Sequence, residues 1–443
     1  MLSLDQALLL LVQGSRAFRI QAQEAVSTFD GLGRVLAADV RSALDVPPQD
    51  NSSMDGYALR AADVPAAGTE LQVSQRIPAG VVGQPLQPGT AARIFTGAQL
   101  PAGADAVVMQ EQCEVLPAAG AGSVASAVAA SGQPGLGSVR VQTVPGAGQW
   151  VRRRGEDVQA GSVVLTAGLR LTPQALGLAA SVGAATLQVL RRPRVAIFST
   201  GDELLMPGQP LRPGAIYNSN RFTLRALALA AGCQVTDLGI VPDQLDATRQ
   251  ALREAAQGHD LIVTSGGVSV GEEDHLRPAV LAEGTLQNWQ LAIKPGKPLA
   301  FGTVRRRAVG SSEISAEIPA ETPADPPADA ALFIGLPGNP VSSFVTWLLA
   351  VGPVLRTLQG LDPALPQPVQ LRADFDWPRA DKRREFLRVR VNAEGGLDLF
   401  ANQSSGVLTS TVWADGLVDN PPAQVIRRGD RVAYLPLAAW MGL

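Results

Sequence analysis

The strongest constraint on the fold is an alternation of short apolar runs and amphipathic segments that begins at Arg194. Apolar runs typical of buried strands cover residues 195–198, 235–241, 261–263 and 332–334. Helical patterns cover residues 220–231, a stretch from Asp243 to Gln257, and residues 341–358. Because strands alternate with helices, this region is predicted to form a parallel, doubly wound sheet.

Local end signals support the three predicted helices. Gly232 follows the first helix, Asp243 can cap the second, and Gly258 lies at its end. Asn339-Pro340 supplies an N-cap and first-turn pair for the third helix.

The ligand crevice of a doubly wound sheet lies at the carboxyl ends of its strands. Three loops fall there, at residues 199–203, 265–267 and 335–339. The small residues Ser265-Gly266-Gly267 would let backbone amides approach a phosphate closely. Gly-rich strand ends are also common as plain tight turns, so this loop alone leaves both interpretations open.

Carboxylates near these loops also leave two interpretations open. Asp274 can hold magnesium or cap the next helix, and the residues alone favour the cap. Asp202 and Glu203 can hold magnesium or order a turn, and the local sequence favours neither.

Lysine is scarce, since it occurs three times among 37 basic residues, and two of the three are Lys294 and Lys297. A position that stays lysine in an arginine-rich chain favours a compact point charge over a planar fork. Ammonium groups beside glycine loops suit phosphates and other oxyanions. The alternative is that both lysines are ordinary solvated charges.

Composition limits the possible classes of protein. A chain of 443 residues is expected to form several domains, and its net charge of −3 gives no electrostatic case for nucleic acid. Cys113 and Cys233 are far apart, which suits a reduced cytosolic protein. With only two histidines, His259 and His275, a zinc site is nearly excluded, so any metal is expected to be oxygen-ligated, such as magnesium.

The N-terminal sequence predicts a helix rather than a targeting segment. Ser3-Leu4-Asp5-Gln6 matches a capping box. The apolar run at residues 8–12 is short and no basic segment precedes it, which argues against a signal peptide. No segment is apolar for long enough to span a bilayer. We therefore expect a cytoplasmic protein that has no membrane partner.

Outside the alternating region the chain is predicted to be richer in strands. Residues 1 to about 45 look helical and then extended, residues 47–150 are short strands broken by Gly and Pro, and residues 151–190 are mixed. After Pro366 the pattern predicts a small all-β domain. Two insertions without core are expected: an Ala/Gly/Ser-rich loop at residues 117–138 and a disordered Pro/Ala/Glu-rich segment at residues 308–330.

Polar, turn-forming stretches recur in the strand-rich part of the chain. They are residues 50–58, which include Asp55, then Thr96-Gly97-Ala98 leading to Glu111, and Glu156-Asp157. Each is individually explained as a turn or a solvated acid.

Taken together, these stretches resemble the MoeA family, the molybdenum-inserting enzymes also represented by the E domain of gephyrin. The matching stretches are residues 50–58, 96–98 through 109–111, 155–157, 199–204, 218–221, 265–274, 294–301 and 335–343, with weaker matches at 385–388 and 403–406. They occur in the family order and cover nearly the whole chain.

The resemblance implies an elongated, four-domain homodimer of α/β and β units. Its divisions would be a mixed domain I at residues 1–45 and 151–190, a β-rich domain II at 46–150, a doubly wound, MogA-like domain III at 191–361 and a small all-β domain IV at 362–443. The site would lie between domains III and IV of one protomer and domain II of the other.

The implied reaction inserts molybdate into adenylylated molybdopterin and releases AMP. By motif position, the catalytic residues would be Asp55, Asp157, Glu203, Asp243 and Asp274. The substrate would be held by Thr96, Thr200, Gly201, Ser265, Gly266, Gly267, Asn339 and Pro340. Molybdate would be held by Lys294, Lys297, Ser342, Arg388 and Ser405, and magnesium by Glu203 and Asp274 near the pyrophosphate.

Departures from the family pattern are few. Gln290 stands where many bacterial members have a further lysine, and Gln99 replaces a frequent proline. The resemblance also implies transient contact with a MogA-type adenylyltransferase and with recipient molybdoenzymes or their chaperones. Two other functions stay open: a MogA-type adenylyltransferase, which would lack the flanking β domains, and a non-catalytic scaffold.

Overall fold

The computed structural model describes residues 1–116, 136–267, 275–306 and 329–441. A six-stranded sheet forms the α/β unit, which confirms the predicted doubly wound region. Its strands, in spatial order, are Gln234–Val241, Arg194–Thr200, Leu261–Ser265, Ala330–Leu336, Pro298–Arg305 and Gly284–Gln290. The first four are parallel to one another, as predicted. Pro298–Arg305 runs antiparallel to both of its neighbours. The edge strand Gly284–Gln290 is partly exposed and lacks the apolar run that marks buried strands.

Helices cover both faces of this sheet. They are Ser219–Ala230, Leu245–Gly258, Leu276–Glu283, Pro340–Thr346 and Gly352–Leu358, the last two joined by the π-helical turn Trp347–Val351. Asn218 caps the first helix by accepting from the Arg221 amide, and Asn339-Pro340 begins the fourth as predicted. The expected cap at Asp243 is wrong, because the helix begins at Leu245 and Gln244 occupies the N-cap position without a side-chain bond.

The N-terminal helix Leu4–Ser15 belongs to the core of the α/β unit. Its Ser3 and Gln6 form the predicted capping box. Leu4, Ala7 and Leu11 are buried in the same cluster as the inner residues of the sheet. This helix therefore packs on the α/β unit, although the expected division of the chain places residues 1–45 in domain I.

Among the described residues, one helical stretch, residues 340–358, is long and apolar enough to cross a membrane by length and composition alone, so the expectation that no segment is apolar for that length is wrong. Of its most apolar window, 83% is buried inside the protein. This burial is typical of a core helix in a globular protein.

Domain II is a six-stranded, mainly antiparallel sheet, as the β-rich pattern predicts. Its strands, in spatial order, are Ala106–Met109, Gly56–Leu59, Thr90–Ile94, Thr69–Ile77, Ser138–Val141 and Cys113–Leu116. The predicted insertion at residues 117–138 lies outside the described residues up to residue 135, and Ser138 begins a strand.

Domain I is small and is built from two distant parts of the chain. Strand Gln23–Ser27 pairs with Thr186–Leu190, Val40–Arg41 pairs with Val163–Leu165, and helix Pro173–Ser181 covers them. The pair Asn51–Ser52 and Val151–Arg152 carries the chain into and out of domain II.

Short 3₁₀ turns occur in several parts of the N-terminal half of the chain. They are Arg16–Phe18, Thr28–Asp30, Ala61–Asp63 and Gln110–Gln112.

The C-terminal unit is a closed five-stranded barrel. Its strands, in order around the barrel, are Arg384–Val391, Gly396–Leu399, Val369–Ala373, Arg431–Pro436 and Gly416–Asn420, and the last pairs again with the first. Short helices Thr409–Trp413 and Leu437–Met441 flank it. The strand Ile293–Lys294, which comes from the α/β unit, adds in parallel to Arg384–Val391 and so joins the two units.

The second predicted insertion, residues 308–330, lies outside the described residues up to residue 328. Its last residue, Ala330, begins a strand of the α/β sheet, so the predicted segment extends one residue too far.

Candidate functional site

A cleft of about 860 Å³ opens between the α/β unit and the barrel. It lies at the carboxyl ends of the parallel strands, where Thr200 and Ser265 are the terminal strand residues. The predicted site residues that line it are Thr200, Glu203, Ser265, Gly266, Gly267, Lys294, Lys297, Asn339, Pro340, Ser342 and Ser405. Residues that are distant in the chain thus meet on one surface.

The glycine loop after Ser265 requires glycine for two reasons. Gly266 and Gly267 both have positive φ angles, of +90° and +66°. A Cβ on Gly266 would also lie 3.2 Å from the Thr200 carbonyl oxygen, which is tighter than a comfortable contact. This part of the cleft therefore presents backbone and hydroxyl groups, which suit a phosphate.

The lysine loop, residues 293–298, packs against the helix that begins at Pro340. A Cβ on Gly296 would lie 2.3 Å from Thr346 Oγ1, and the residue has a φ of +111°. The loop therefore approaches the helix as closely as only glycine allows. This approach places Lys294 and Lys297 in the same wall as Ser342.

The two lysines differ in their surroundings. Lys294 Nζ lies 3.0 Å from Glu385 Oε1 and 3.4 Å from Asp381 Oδ2, and 5.8 Å from the centre of the Trp377 ring. Lys297 is exposed, and among the described residues no carboxylate lies within ion-pairing distance of it. Among the described residues, the cleft thus holds one ammonium paired with carboxylates, that of Lys294, and one without a carboxylate partner, that of Lys297.

Arg388, which the resemblance assigns to molybdate, lies behind the cleft wall. Its side chain is 1% exposed and donates to Ser410 Oγ, to the Phe386 carbonyl and to the Ser404 carbonyl. Burial lowers the pKa of this guanidinium to about 10. In this structure Arg388 supports the Ser404–Ser405 loop from behind the cleft wall, on the face of its strand that it shares with Phe386.

Glu203 lines the cleft mouth with an exposed carboxylate. Its side chain folds over Gly201, where a Cβ would lie 2.5 Å from Glu203 Oε2. Asp243 lies in the turn before Leu245–Gly258 and does not line the cleft. Asp274 lies outside the described residues.

Asp55, Thr96 and Asp157 do not line this cleft. In domain II, Asp55 Oδ1 accepts from both the amide and the hydroxyl of Thr96, each at 2.8 Å. The Thr96 amide bond and then the hydroxyl bond hold the pKa of the Asp55 carboxyl below its ordinary value. Asp157 is exposed near the crossing between domains I and II, where its amide donates to the Val46 carbonyl.

Several cleft residues were not predicted from the sequence. Arg383 and Gln403 come from the barrel, while Asn218, Ser219 and Asn220 come from the start of a helix. Asn220 Nδ2 donates to the Gly338 carbonyl at 2.7 Å, which ties two cleft loops together. The stretch at residues 218–221 was part of the resemblance, so the signal was present without a role attached.

The described residues contain no group of three or more His, Cys, Asp or Glu side chains placed to hold a metal. Thr200, Glu203 and Ser265 nevertheless present oxygen donors to the cleft. Magnesium commonly binds one or two carboxylates together with substrate phosphates and water. This donor set fits magnesium bound jointly with a phosphate-bearing substrate.

Comparison with known proteins assigns a family. Sequence profiles match in order: the MoeA N-terminal region (domains I and II) at residues 2–183, a probable molybdopterin-binding domain at 196–357, and the MoeA C-terminal region (domain IV) at 370–437. A molybdopterin molybdenumtransferase of Haemophilus influenzae is 38% identical over 361 residues, which are 81% of this chain and 78% of that protein. The chain belongs to the MoeA family.

Other members extend the similarity over almost the whole chain. A molybdopterin molybdenumtransferase of a Nostoc species is 35% identical over 94% of this chain and 89% of its own. The crystal structure of the molybdopterin biosynthesis MoeA protein of Pyrococcus horikoshii superposes with a TM-score of 0.76 at 26% identity, and covers 98% of this chain and 100% of its own. The MoeA fold therefore accounts for all four units described above.

Proposed function

We propose that this chain is a molybdopterin molybdenumtransferase of molybdenum cofactor biosynthesis. It would insert molybdate into adenylylated molybdopterin and release AMP. The observation that carries the proposal is the convergence of Lys294, Lys297, Ser342 and Ser405 beside the glycine loop in one cleft. Such a cleft offers separate places for a small oxyanion and for a phosphate-bearing substrate.

The oxyanion end of the cleft would bind molybdate. Charge-assisted hydrogen bonds from ammonium groups, with further bonds from hydroxyls, suit a tetrahedral dianion. Lys297, which has no carboxylate partner within the part of the chain that the structure describes, would supply a positive charge, and Ser342 and Ser405 would supply hydroxyl donors. Arg388 would act from behind the wall, because its buried guanidinium donates to the Ser404 carbonyl and is bonded to none of the described carboxylates.

The phosphate end of the cleft would bind the adenylylated pterin. Thr200, Gly201, Ser265, Gly266, Gly267, Asn339 and Pro340 would form this part of the site. Their strand-end loops expose backbone and hydroxyl groups to the diphosphate. Magnesium, held by Glu203 and Asp274, would neutralise charge on the phosphates when it is bound.

The acids outside the cleft would complete the site in a homodimer. Asp55 and Thr96 of the partner's domain II would face the cleft, together with Asp157. The Asp55 carboxylate suits this role because the two bonds from Thr96 keep it ionised and leave its second oxygen available. Asp243 would contribute to the site only through the loop between strand Gln234–Val241 and helix Leu245–Gly258.

The protein would work in the cytoplasm. It would receive its substrate from a MogA-type adenylyltransferase and deliver the product to recipient molybdoenzymes or their chaperones. These contacts would be transient, and neither nucleic acid nor membrane would be a partner.

One assay tests this function against its alternatives. Purified protein is incubated with adenylylated molybdopterin, and AMP release is measured with and without molybdate. A molybdenumtransferase releases AMP only when molybdate is present. A MogA-type adenylyltransferase would consume ATP with unmodified molybdopterin, and a scaffold would do neither. AMP release that is indifferent to molybdate, or absent, would overturn the proposal.

A further inference from the structure

Lys294 is held by the barrel rather than by its own domain. An ammonium group has three N–H donors. The Glu385 and Asp381 carboxylates occupy two of these directions, at 3.0 Å and 3.4 Å from Nζ. Lys294 also lines the cleft, so the remaining direction is available to a ligand there.

Glu385 is itself rigidly placed. The residue is 1% exposed and lies in the barrel strand Arg384–Val391, paired in register with Lys294. Its Oε2 accepts from Trp377 Nε1 at 2.8 Å and from Asn420 Nδ2 at 3.3 Å, while its Oε1 accepts from Lys294 Nζ. A buried carboxylate with three donors has little freedom to move, and the lysine bound to it shares that restriction.

We propose that Glu385 is a positioning residue for oxyanion binding, and that it acts by directing the third N–H of Lys294 into the cleft. This inference rests on the proposed function, since it assigns a role at the same site. Asp381 assists from the second direction, although it also accepts three bonds from Arg383, two from its guanidinium and one from its amide. The barrel thereby completes a binding wall whose lysine belongs to the α/β unit.

A positioning role and a simple counter-charge role for Glu385 predict opposite changes in molybdate affinity. Removing a carboxylate near an anion site lowers repulsion, so simple electrostatics predicts tighter molybdate binding in Glu385→Gln. A positioning role predicts weaker binding, because the long lysine side chain regains rotamer freedom and loses its direction. The sign of the change therefore separates the two explanations.

The experiment compares Glu385→Gln with Asp419→Asn. Asp419 is a matched control because it also lies in the barrel and also pairs with a basic side chain, that of Arg384, but does not line the cleft. Half-saturation is measured for molybdate at saturating adenylylated molybdopterin, and for adenylylated molybdopterin at saturating molybdate. Molybdate binding to the protein alone is measured by equilibrium dialysis.

We expect Glu385→Gln to raise the half-saturation concentration of molybdate about tenfold, which corresponds to the loss of one charge-assisted contact. The half-saturation concentration of adenylylated molybdopterin should stay unchanged. Asp419→Asn should change neither. In a Lys294→Ala background, Glu385→Gln should not change the half-saturation concentration of molybdate further, because the lysine through which Glu385 acts is absent. Trp377→Phe removes one donor to Glu385 and keeps an aromatic side chain. It should raise the molybdate half-saturation concentration by a smaller factor.

Three results would overturn the inference: unchanged or tighter molybdate binding in Glu385→Gln, an equal effect in the Lys294→Ala background, or an equal loss for both substrates. If Glu385→Gln does not fold, Trp377→Phe decides by the same criteria. If the wild-type protein releases no AMP, the proposed function fails, and dialysis with molybdate still tests Glu385.

Discussion

The cleft and domain II carry the same kind of predicted site residue but differ in what the fold does with them. Eleven predicted residues, from Thr200 to Ser405, line one cleft within a single chain. Asp55 and Thr96 instead form a compact pair of their own in domain II and do not line that cleft. A list of site residues therefore does not reveal how many surfaces those residues form.

The two regions differ because their topologies differ. In a parallel sheet the carboxyl ends of the strands lie at one edge, so loops that are far apart in sequence are collected there. The mainly antiparallel sheet of domain II turns its strands back and forth, which spreads their ends over two edges. The α/β unit thus collects its site residues at one edge of its sheet, while Asp55 lies on a separate surface in domain II.

The largest expected effect lies in the cleft itself. Lys297→Ala should raise the molybdate concentration needed for AMP release by ten- to a hundredfold, about 1.5–3 kcal/mol for one charge-assisted contact. Binding of adenylylated molybdopterin should change much less, because the glycine loops remain. Lys297→Arg should restore only part of the loss, since a planar fork is longer and more directional.

The third lysine supplies the control for this prediction. Lys382 is exposed and does not line the cleft, so Lys382→Ala should leave molybdate dependence unchanged. An unchanged molybdate titration in Lys297→Ala would mean that the cleft is not the oxyanion site.

A subunit-mixing experiment tests whether the two regions form one site. Asp55→Asn and Lys297→Ala chains, each weakly active alone, are mixed under conditions of subunit exchange. If domain II acts on the partner's cleft, each mixed dimer has one intact site, and about a quarter of wild-type activity should return because about half of the dimers are mixed.

If both regions act within one chain, mixed dimers contain no intact site and activity stays low. Mass measurement of the mixture confirms that mixed dimers have formed. The result therefore decides between a shared and a single-chain site.

A smaller effect is expected from the Asp55 and Thr96 pair. Thr96→Val removes the hydroxyl donor and keeps the amide donor, so the pKa of Asp55 should rise toward its ordinary value of 3.8. Because the folded-state pKa is lowered, these bonds stabilise the folded chain above pH 3.8, and the contribution is lost as the pH falls through the folded value. NMR titration of the Asp55 carboxyl measures the change.

Thr96→Ser keeps the hydroxyl and should leave the pKa low. An unchanged pKa in Thr96→Val would show that the amide bond alone holds Asp55 ionised. In that case the side-chain contact would have no electrostatic role in domain II.

No effect is expected from shortening the segment between Arg306 and Asp329. The Arg306 amide donates to the Asp329 carbonyl at 2.6 Å, so the two ends already meet and a short Gly/Ser linker can replace residues 308–327. Arg305 and Ala330 pair with each other at the edge of the sheet opposite to the edge where Pro298 and Pro337 line the cleft. Melting temperature, dimerisation and AMP release should all match the full chain, and a large drop in melting temperature would show that the segment packs.

Much of the fold and part of the site could be predicted from the sequence. The four parallel strands, the capping box at Ser3 and the helix start at Asn339 all follow from patterns within a few residues. The lysine pair and the glycine loop were also visible, because scarce lysines and clustered glycines stand out locally. Hydrophobic periodicity and helix-end chemistry are short-range, which is why one sequence suffices for them.

The tertiary structure alone decided how the site is assembled. Lys294 and Glu385 are 91 residues apart, yet they pair in one sheet and share a hydrogen bond. The sequence alone did not reveal that Lys294 pairs with two carboxylates while Lys297 pairs with none of the described ones. Nor did it reveal that Arg388 lies behind the wall, or that Asp55 lies away from the cleft. These outcomes depend on contacts between distant segments, which arise only when the barrel closes and docks against the α/β unit, and a local pattern contains no record of that docking.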